Sequence, residues 1–267
     1  MPVPSPERLL AALAAPLLLA ACGGEEVRAP ERPREAEVSR ETRPELGLMT
    51  SLPLYWPLGA ELGDIAGGRI AAPWQRAALE QGFALVPLDT LSPIAAVTPG
   101  LAETDPLAGL ERLAVIQPRG LSPADNVALD DWVRGGGRLL LVLDPQLTAE
   151  YDLPLGDPRR PSDSALIPPV LARWGLEIVF DEDQDEGPRA VPLGEGFVTV
   201  RLAGEVRRRE GGEAACTLAA GGVAAQCRVG AGLVTVFADA ALFEDGPAAA
   251  VRAQAIAALL AFAFVGE

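Results

Sequence analysis

Short apolar runs separated by helical segments are the feature of this chain that most constrains its fold. Each run is apolar along nearly its whole length, as expected for strands that are covered on both faces. Strands that alternate with helices form parallel sheets through right-handed crossovers. The runs are LGLMTSL (46–52), ALVPL (84–88), RLAVIQ (112–117) and RLLLVLD (138–144). The pattern predicts an α/β fold with a doubly wound, mostly parallel sheet.

The clearest helix signal follows the third run. Ser122 has the position of an N-cap, Pro123 of the first helical residue and Asp125 of the third, and the Gly135–Gly137 triplet ends the pattern. Weaker patterns predict helices over 74–82 and over 165–174.

The pattern changes in the C-terminal third. The run LEIVF (176–180) predicts a strand, and the segments at 197–202, around two cysteines, and at 232–239 predict antiparallel strands that flank or extend the sheet. The final segment, 248–265, predicts a helix. Its unbroken apolar stretch covers only 255–265, so we expect this helix to face the core and not to span a membrane.

The N-terminus has the pattern of an export signal. An apolar run of 13 residues, Leu9–Ala21, is too short to cross a bilayer and fits the core of a signal peptide. The run ends in Leu19-Ala20-Ala21-Cys22, which resembles the lipobox of bacterial lipoproteins. The resemblance implies that Cys22 carries lipid (palmitate among its acyl chains), that the protein is anchored in the cell envelope facing the periplasm, and that Gly23 favours the outer over the inner membrane.

The segment that follows Cys22 is rich in Glu, Arg and Pro and has few apolar side chains. Such a segment cannot repay the entropy of ordering, so it predicts a disordered tether. The predicted organisation is a signal peptide at 1–21, the lipidated Cys and tether at 22–45, and one α/β domain at 46–267 with a β-hairpin region at 190–238 and a helix at 248–265.

Two cysteines remain after Cys22. If Gly221 and Gly222 form a two-residue hairpin loop, counting outward places Cys216 directly opposite Cys227. Cross-strand neighbours are within reach of a disulfide, and an oxidising periplasm favours its formation. Two free buried thiols are the alternative.

The basic residues exclude several classes of enzyme. The chain has no His, and all 22 of its basic residues are Arg. Ser-His-Asp and Cys-His catalysis, Schiff-base chemistry and P-loops are therefore excluded. A formal net charge of −15 argues against nucleic-acid binding. No cofactor or metal is predicted, since the acidic segment 181–186 lacks the calcium-loop pattern.

Two segments carry a resemblance to a known family. LAVIQPRGLSPADNVALDDWVRGGGRLLLVLDP (113–145) and GAGLVTVFADAALFED (230–245) resemble the periplasmic domain of GldG-like auxiliary components of ABC-type, gliding-motility-associated transport systems. The resemblance implies a class I glutamine amidotransferase-like, flavodoxin-like fold. It does not imply amidotransferase activity, because Asp144-Pro145 follows the strand where the nucleophilic Cys would lie and the chain has no His.

The resulting prediction is a non-catalytic, lipid-anchored binding or scaffold module. Its predicted partners are the membrane and an ABC-type transporter or another envelope protein. The alternative is an envelope hydrolase that uses carboxylates such as Asp144 and Asp239.

Ligands of open α/β sheets bind beyond the carboxyl ends of the strands. We expect Arg119 and Asp144 to pair across such a crevice, or else to satisfy loop backbone. The residues expected at the crevice are Ser51, Asp89, Thr90, Gln117, Arg119, Asp144 and Asp239.

Tyr55 and Trp56 concentrate aromatic surface in a chain with 5% aromatic residues. They predict either a pocket or partner patch, or a plug at the base of the core.

Overall fold

The computed structural model of the protein describes residues 43–98, 100, 102–246 and 249–265. The strands in these residues are β1 (Glu45–Thr50), β2 (Ala84–Pro87), β3 (Arg112–Ile116), β4 (Arg138–Val142), β5 (Leu176–Val179), β6 (Arg189–Leu193), β7 (Gly196–Val200), β8 (Glu205–Arg208), β9 (Ala215–Ala219), β10 (Ala224–Val229) and β11 (Gly232–Phe237). The helices are α1 (Leu62–Ala66), α2 (Trp74–Leu79), α3 (Pro123–Arg134), α4 (Pro169–Trp174) and α5 (Ala249–Phe264).

The central sheet has seven strands in the order β2-β1-β3-β4-β11-β10-β9. The first five are mutually parallel, β10 is antiparallel to β11, and β9 is antiparallel to β10. The four strands predicted in the N-terminal half are confirmed as β1 to β4. Strands β2 and β9 lie at the two edges of the sheet.

Both faces of the central sheet are covered. In β4, Leu139 and Leu141 face one apolar cluster with α3 and α4, whereas Leu140 and Val142 face a second cluster with α2 and α5. All four side chains are fully buried. This two-sided burial explains why the strand is apolar at every position instead of alternating.

Helix α3 begins as its sequence predicts. The Ser122 hydroxyl accepts a hydrogen bond from the Asp125 amide at 3.0 Å, and the Asp125 carboxylate accepts one from the Ser122 amide at 3.1 Å. This reciprocal capping box satisfies two amides that the first turn leaves unpaired. The helix ends at Arg134, directly before the glycine triplet.

The cysteine hairpin also forms in the predicted register. Gly221 and Gly222 have φ values of 64° and 95°, which suit a tight hairpin turn. Cys216 lies opposite Cys227 in the pairing of β9 with β10, and the two residues form a disulfide. The disulfide prediction is therefore confirmed.

The segment between β4 and β11 departs from the sequence prediction. Strands β5 and β8 form one small antiparallel sheet, and β6 and β7 form another. The strands predicted at 176–180 and 197–202 therefore pair away from the central sheet. Strand β11, predicted as antiparallel, runs parallel to β4 and is entered from β10 through a hairpin.

The prediction of a doubly wound, amidotransferase- or flavodoxin-like sheet is wrong in the connections between the strands. No described helix lies between β2 and β3 or between β10 and β11, and the sheet ends in two strands, β10 and β9, that are added by antiparallel hairpins. The described fold is a mixed seven-stranded sheet with two small antiparallel sheets attached.

Helix α5 faces the core, as its sequence predicts, through buried residues that include Ile256 and Leu259. No helix in the described ranges has both the length and the apolar character needed to cross a bilayer. The predicted signal peptide, Cys22 and most of the predicted tether lie outside the described residues.

Candidate carboxylate site

Two aspartates lie side by side at the carboxyl ends of neighbouring strands. Val142 and Phe237 end β4 and β11 and are paired in register, and the Leu143 amide continues the pairing by donating to the Phe237 carbonyl at 2.9 Å. Asp144 and Asp239 each follow two residues after these strand ends, and both are fully buried. The sheet thus brings together two carboxyl groups that are 95 residues apart in the chain.

Backbone amides hold both carboxyl groups. Asp144 accepts from the amides of Gln146 at 2.8 Å and Ala240 at 2.7 Å. Asp239 accepts from the amides of Arg201 at 2.6 Å and Ala241 at 2.7 Å. Each aspartate therefore joins its own strand end to a neighbouring loop.

Glu244 supplies a third buried carboxyl group nearby. Its oxygens accept from the Thr148 hydroxyl at 2.6 Å and from the Ala149 amide at 2.8 Å. The Glu244 carbonyl accepts from the Arg252 guanidinium at 2.7 Å. None of the ion pairs found in the described residues involves the carboxyl groups of Asp144, Asp239 or Glu244.

Burial changes the protonation of the two aspartates. Burial raises the pKa of Asp144 to about 7, the Ala240 and Gln146 amides oppose this rise, and the charge of Glu244 adds to it. Burial also raises the pKa of Asp239 well above its ordinary value, and the charge of Asp144 raises it further. Because each negative charge disfavours the other, the pair retains a proton near neutral pH.

Two other predicted crevice residues join this site. Gln117 is fully buried with a φ of 43°, and its side-chain amide donates to the Asp144 carbonyl at 3.1 Å and to the Ser162 carbonyl at 2.8 Å. Its side-chain oxygen accepts from the Asp144 amide at 2.8 Å. The Ser51 hydroxyl donates to the Gln117 carbonyl at 2.6 Å. These contacts link the ends of β1, β3 and β4.

The remaining predicted crevice residues lie elsewhere. Asp89 and Arg119 are exposed, and the charge of Arg119 acts on Asp157. The predicted pair of Arg119 with Asp144 is wrong, because Asp144 is buried against backbone amides. The Thr90 hydroxyl donates to the Asp125 carboxylate at 2.7 Å, so it supports the start of α3.

An open cavity lies beside the segment that binds Glu244, although none of the three buried carboxyl groups lines it. It has a volume of about 580 Å³. Tyr151 and Asp245 line it, and the Ala149 amide that binds Glu244 belongs to another of its lining residues. Burial raises the pKa of Tyr151, and the charges of Glu244 and Asp245 raise it further. The negative charges of Glu244 and Asp245 therefore act on a side chain that lines the cavity.

The predicted aromatic patch is divided by the fold. Tyr55 packs partly buried against the core, and its hydroxyl donates to the Leu48 carbonyl at 3.0 Å. Trp56 is 37% exposed, and the Arg76 guanidinium lies 5.1 Å from its ring centroid. Tyr55 therefore acts as a plug of the core, while Trp56 remains at the surface.

Glu244 and Tyr151 were not predicted from the sequence as residues of this site. A carboxylate five residues after the strand-end Asp239 is a signal that could have identified Glu244. Tyr151 lies in a long loop with no local pattern that places it. Among the described residues, no group of three or more His, Cys, Asp or Glu side chains is arranged to hold a metal ion.

Comparison with known proteins gives likeness in structure alone. Neither a protein-family model nor a curated protein matches the chain. An exo-β-1,4-mannosidase, Op5Man5, from Opitutaceae bacterium strain TAV5 is 16% identical with a TM-score of 0.46, over 84% of this chain and 38% of that one. A cold-adapted β-galactosidase from Rahnella sp. R3 is 13% identical with a TM-score of 0.43, over 82% and 31%.

A β-galactosidase from Bacillus circulans sp. alkalophilus is similar at 9% identity with a TM-score of 0.43, over 82% of this chain and 30% of that chain. This chain therefore spans about a third of the length of these enzymes. No activity is transferred from them at this level of likeness.

None of these comparisons supports the family identification made from the sequence. The similar structures are glycoside hydrolases and not GldG-like transport components. The identification of the chain as GldG-like, with an amidotransferase-like fold, is wrong. The prediction of an ABC-transporter accessory role, which depended on that identification, is wrong with it. The prediction of a non-catalytic scaffold, which rested on the absence of His and Lys, is corrected by the buried carboxyl pair of Asp144 and Asp239.

Proposed function

We propose that this protein is a hydrolase that uses the carboxyl groups of Asp144 and Asp239 as its acid and base. The observation that supports the proposal is the position of the two aspartates, side by side at the ends of adjacent parallel strands. In open sheets with parallel strands, this edge is where ligands bind. The raised pKa of each aspartate leaves the pair with one proton to give and one carboxylate to receive a proton.

The substrate class proposed for this pair is a glycoside. Two carboxyl groups supply the whole acid–base chemistry of glycosidic bond cleavage, and neither His nor Lys is required. The protonated aspartic acid would give its proton to the departing glycosidic oxygen. The other carboxylate would activate a water molecule or attack the sugar carbon.

Access to the pair requires movement of a neighbouring segment. The Gln146 amide binds Asp144, and the Thr148 and Ala149 amides bind Glu244, so the chain after β4 lies against the cluster. The cavity beside Tyr151 is the proposed entrance. Substrate binding there would displace this segment and expose the aspartates.

The test is turnover of 4-nitrophenyl glycosides by the full chain. Asp144→Asn and Asp239→Asn are each expected to lower kcat/KM at least about 100-fold, since each removes a group that transfers a proton. Asp131→Asn is the matched control, because Asp131 is exposed on α3. Folding of every variant is checked by circular dichroism. The proposal fails if the wild-type chain cleaves no member of the glycoside panel, or if a folded Asn variant keeps wild-type turnover.

We also propose that the protein is a lipoprotein of the cell envelope, facing the periplasm, with the outer membrane favoured. The lipobox-like sequence that ends in Cys22 supports this location, and the membrane is then a partner through the acyl chains. Two such chains give stable anchoring, whereas one gives only reversible binding.

Mass spectrometry of the full chain purified from a bacterial host tests the anchor. The expected mass corresponds to a chain that begins at an acylated Cys22, and Cys22→Ser is expected to remove both the lipid mass and the processing. An unprocessed and unacylated wild-type chain would refute the anchor without affecting the proposed hydrolase site.

A further inference from the structure

A second cavity lies where β11 begins, whereas the strand-end carboxylate Asp239 follows the end of β11. It has a volume of about 540 Å³ and is formed where β8, β9 and β10 come together beside the disulfide. Three arginines, Arg208, Arg209 and Arg228, line it, and no Asp or Glu is among its lining residues. In a chain with 37 acidic and 22 basic residues, this lining reverses the overall balance of charge.

The guanidinium groups have unused hydrogen-bond donors. Arg209 and Arg228 form no side-chain hydrogen bond or ion pair with any other described residue. Arg208 donates one hydrogen bond, to the Cys216 carbonyl at 2.6 Å. Because a guanidinium has five N–H donors, most of the donors in this cavity are available to a ligand.

Of the three acidic residues in the segment 205–213, two are paired, and the third, Glu210, is exposed and does not line the cavity. Glu205 forms an ion pair with Arg207 at 2.6 Å. Glu213, which follows the cavity residue Gly212, pairs with Arg134 at 2.8 Å and with Arg173 at 3.3 Å. Glu205 and Glu213 therefore form ion pairs with arginines that do not line the cavity.

The walls of the cavity are held in place. Gly175 and Gly212 touch through their backbones, so that a side chain on Gly212 would collide with Gly175. The Cys216–Cys227 disulfide joins β9 to β10 at the opposite wall. A preformed cavity loses little conformational entropy on binding, which favours affinity for a small ligand.

We propose that this arginine cavity binds the phosphate group of a small molecule. Guanidinium groups match phosphate oxygens in geometry and form paired, charge-assisted hydrogen bonds with them. An anion also relieves the repulsion among three like charges, because no carboxylate lines the cavity and none among the described residues forms an ion pair with these arginines. The site is separate from Asp144 and Asp239, and it does not depend on the proposed hydrolase activity.

Isothermal titration calorimetry of the full chain with inorganic phosphate tests the site, with chloride at matched ionic strength as the reference. We expect a Kd of about 1 mM or tighter. Arg209→Ala together with Arg228→Ala is expected to weaken binding at least tenfold. Arg189→Ala is the matched control, because Arg189 is exposed on β6, outside the cavity, and forms no ion pair with described residues.

Charge-retaining variants and vesicles complete the test. Arg209→Lys with Arg228→Lys is expected to bind more weakly than wild type but more tightly than the double Ala variant, and its folding is verified by circular dichroism. Absence of phosphate binding, or equal binding by the double Ala and Arg189→Ala variants, overturns the proposal. Binding to phosphatidylglycerol vesicles that depends on Arg209 and Arg228, with no binding of free phosphate, would assign the arginines to a membrane surface and also overturn it.

Discussion

Asp144 and Asp239 occupy equivalent positions, each two residues beyond the end of its strand, on neighbouring parallel strands whose last residues pair directly. This equivalence places two carboxyl groups in one buried environment with no cation to neutralise them among the described ion pairs. Burial of uncompensated carboxylates is costly, so such a pair persists by keeping a proton and by accepting backbone hydrogen bonds.

The stability of the protein is expected to fall as the pH rises from about 4 to about 7. Asp144 and Asp239 have pKa values that are higher in the folded protein than in the unfolded chain. The folded state therefore holds more protons in this interval, and the free energy of unfolding decreases with pH by up to about 1.4 kcal/mol per pH unit for each proton retained. Urea unfolding followed across this pH range measures the slope.

The variant Asp239→Asn provides the comparison for that slope. It removes one titrating group, so its slope is expected to be smaller than that of the wild type, while the exposed control Asp131→Asn retains the wild-type slope. An identical slope in Asp239→Asn and wild type would show that the pair does not hold a proton.

Removal of the Asp125 carboxylate is expected to destabilise the protein. Its oxygens accept from the Thr90 hydroxyl at 2.7 Å, from the Leu91 amide at 2.8 Å and from the Ser92 amide at 3.0 Å, besides the capping box. Asp125→Ala leaves these donors without a partner and is expected to lower the free energy of unfolding by about 2–4 kcal/mol. The control Asp131→Ala, on the same helix, is expected to change it by less than about 0.5 kcal/mol. Urea denaturation compares the two, and equal effects would contradict the assigned role of Asp125.

Loss of the disulfide is expected to destabilise the protein moderately. Cys216 and Cys227 are separated by 11 positions, and closing a loop of this size constrains the unfolded chain by about 2–3 kcal/mol. Cys216→Ala with Cys227→Ala is therefore expected to lower the thermal unfolding temperature. Reduction of the wild type should give a similar decrease, and reduction of the double variant should give none. A wild-type unfolding temperature that does not respond to reductant would show that the bridge contributes nothing to stability.

Gly232 is expected to tolerate no side chain. A Cβ at this position would collide with the carbonyl oxygens of Val133 and Gly137, which are backbone atoms that cannot rotate away. Gly232→Ala is expected to cost about 1–3 kcal/mol or more, as overpacking does. Gly82→Ala is the control, because its Cβ would meet no atom within 4 Å. Differential scanning calorimetry of both variants checks the contrast, which would be lost if the two unfolding temperatures were equal.

Local signals account for the parts of the fold that were predicted correctly. Ser122 and Asp125 define the start of α3 through contacts within four residues, and Gly221-Gly222 define the register of the cysteine hairpin. Each signal is complete within a short segment. The same holds for β4, where unbroken apolar character reports burial on two faces.

Two of the parts that were predicted wrongly depend on distant partners. The segment at 176–180 has strand character, but its partner β8 follows only after two further strands. The segment at 197–202, by contrast, pairs locally with β6 across the turn Gly194-Glu195. The direction of β11 depends on its contact with β4. No local pattern encodes the partner of β5 or the direction of β11.

The candidate site likewise contains residues whose positions could be predicted from the sequence and residues whose positions could not. Asp144 and Asp239 follow apolar strands, so their position at the strand ends could be predicted. Arg119 and Asp89 also follow strands, but the loops that carry them turn to solvent. Glu244 enters the cluster through a short 3-10 turn at Ala241–Phe243, and this turn has no helical pattern of its own.

The hydrogen bond from Arg208 to the Cys216 carbonyl has a consequence for association between molecules. An edge strand offers unpaired backbone groups to which another chain can add, and that addition is the first step of sheet growth and aggregation. On β9 the Arg208 guanidinium occupies one of these groups, and it places a positive charge along the edge. At the other edge, β2 ends at Pro87, which has no amide hydrogen to donate. Each open edge of the central sheet therefore has one backbone group fewer to offer to a second molecule.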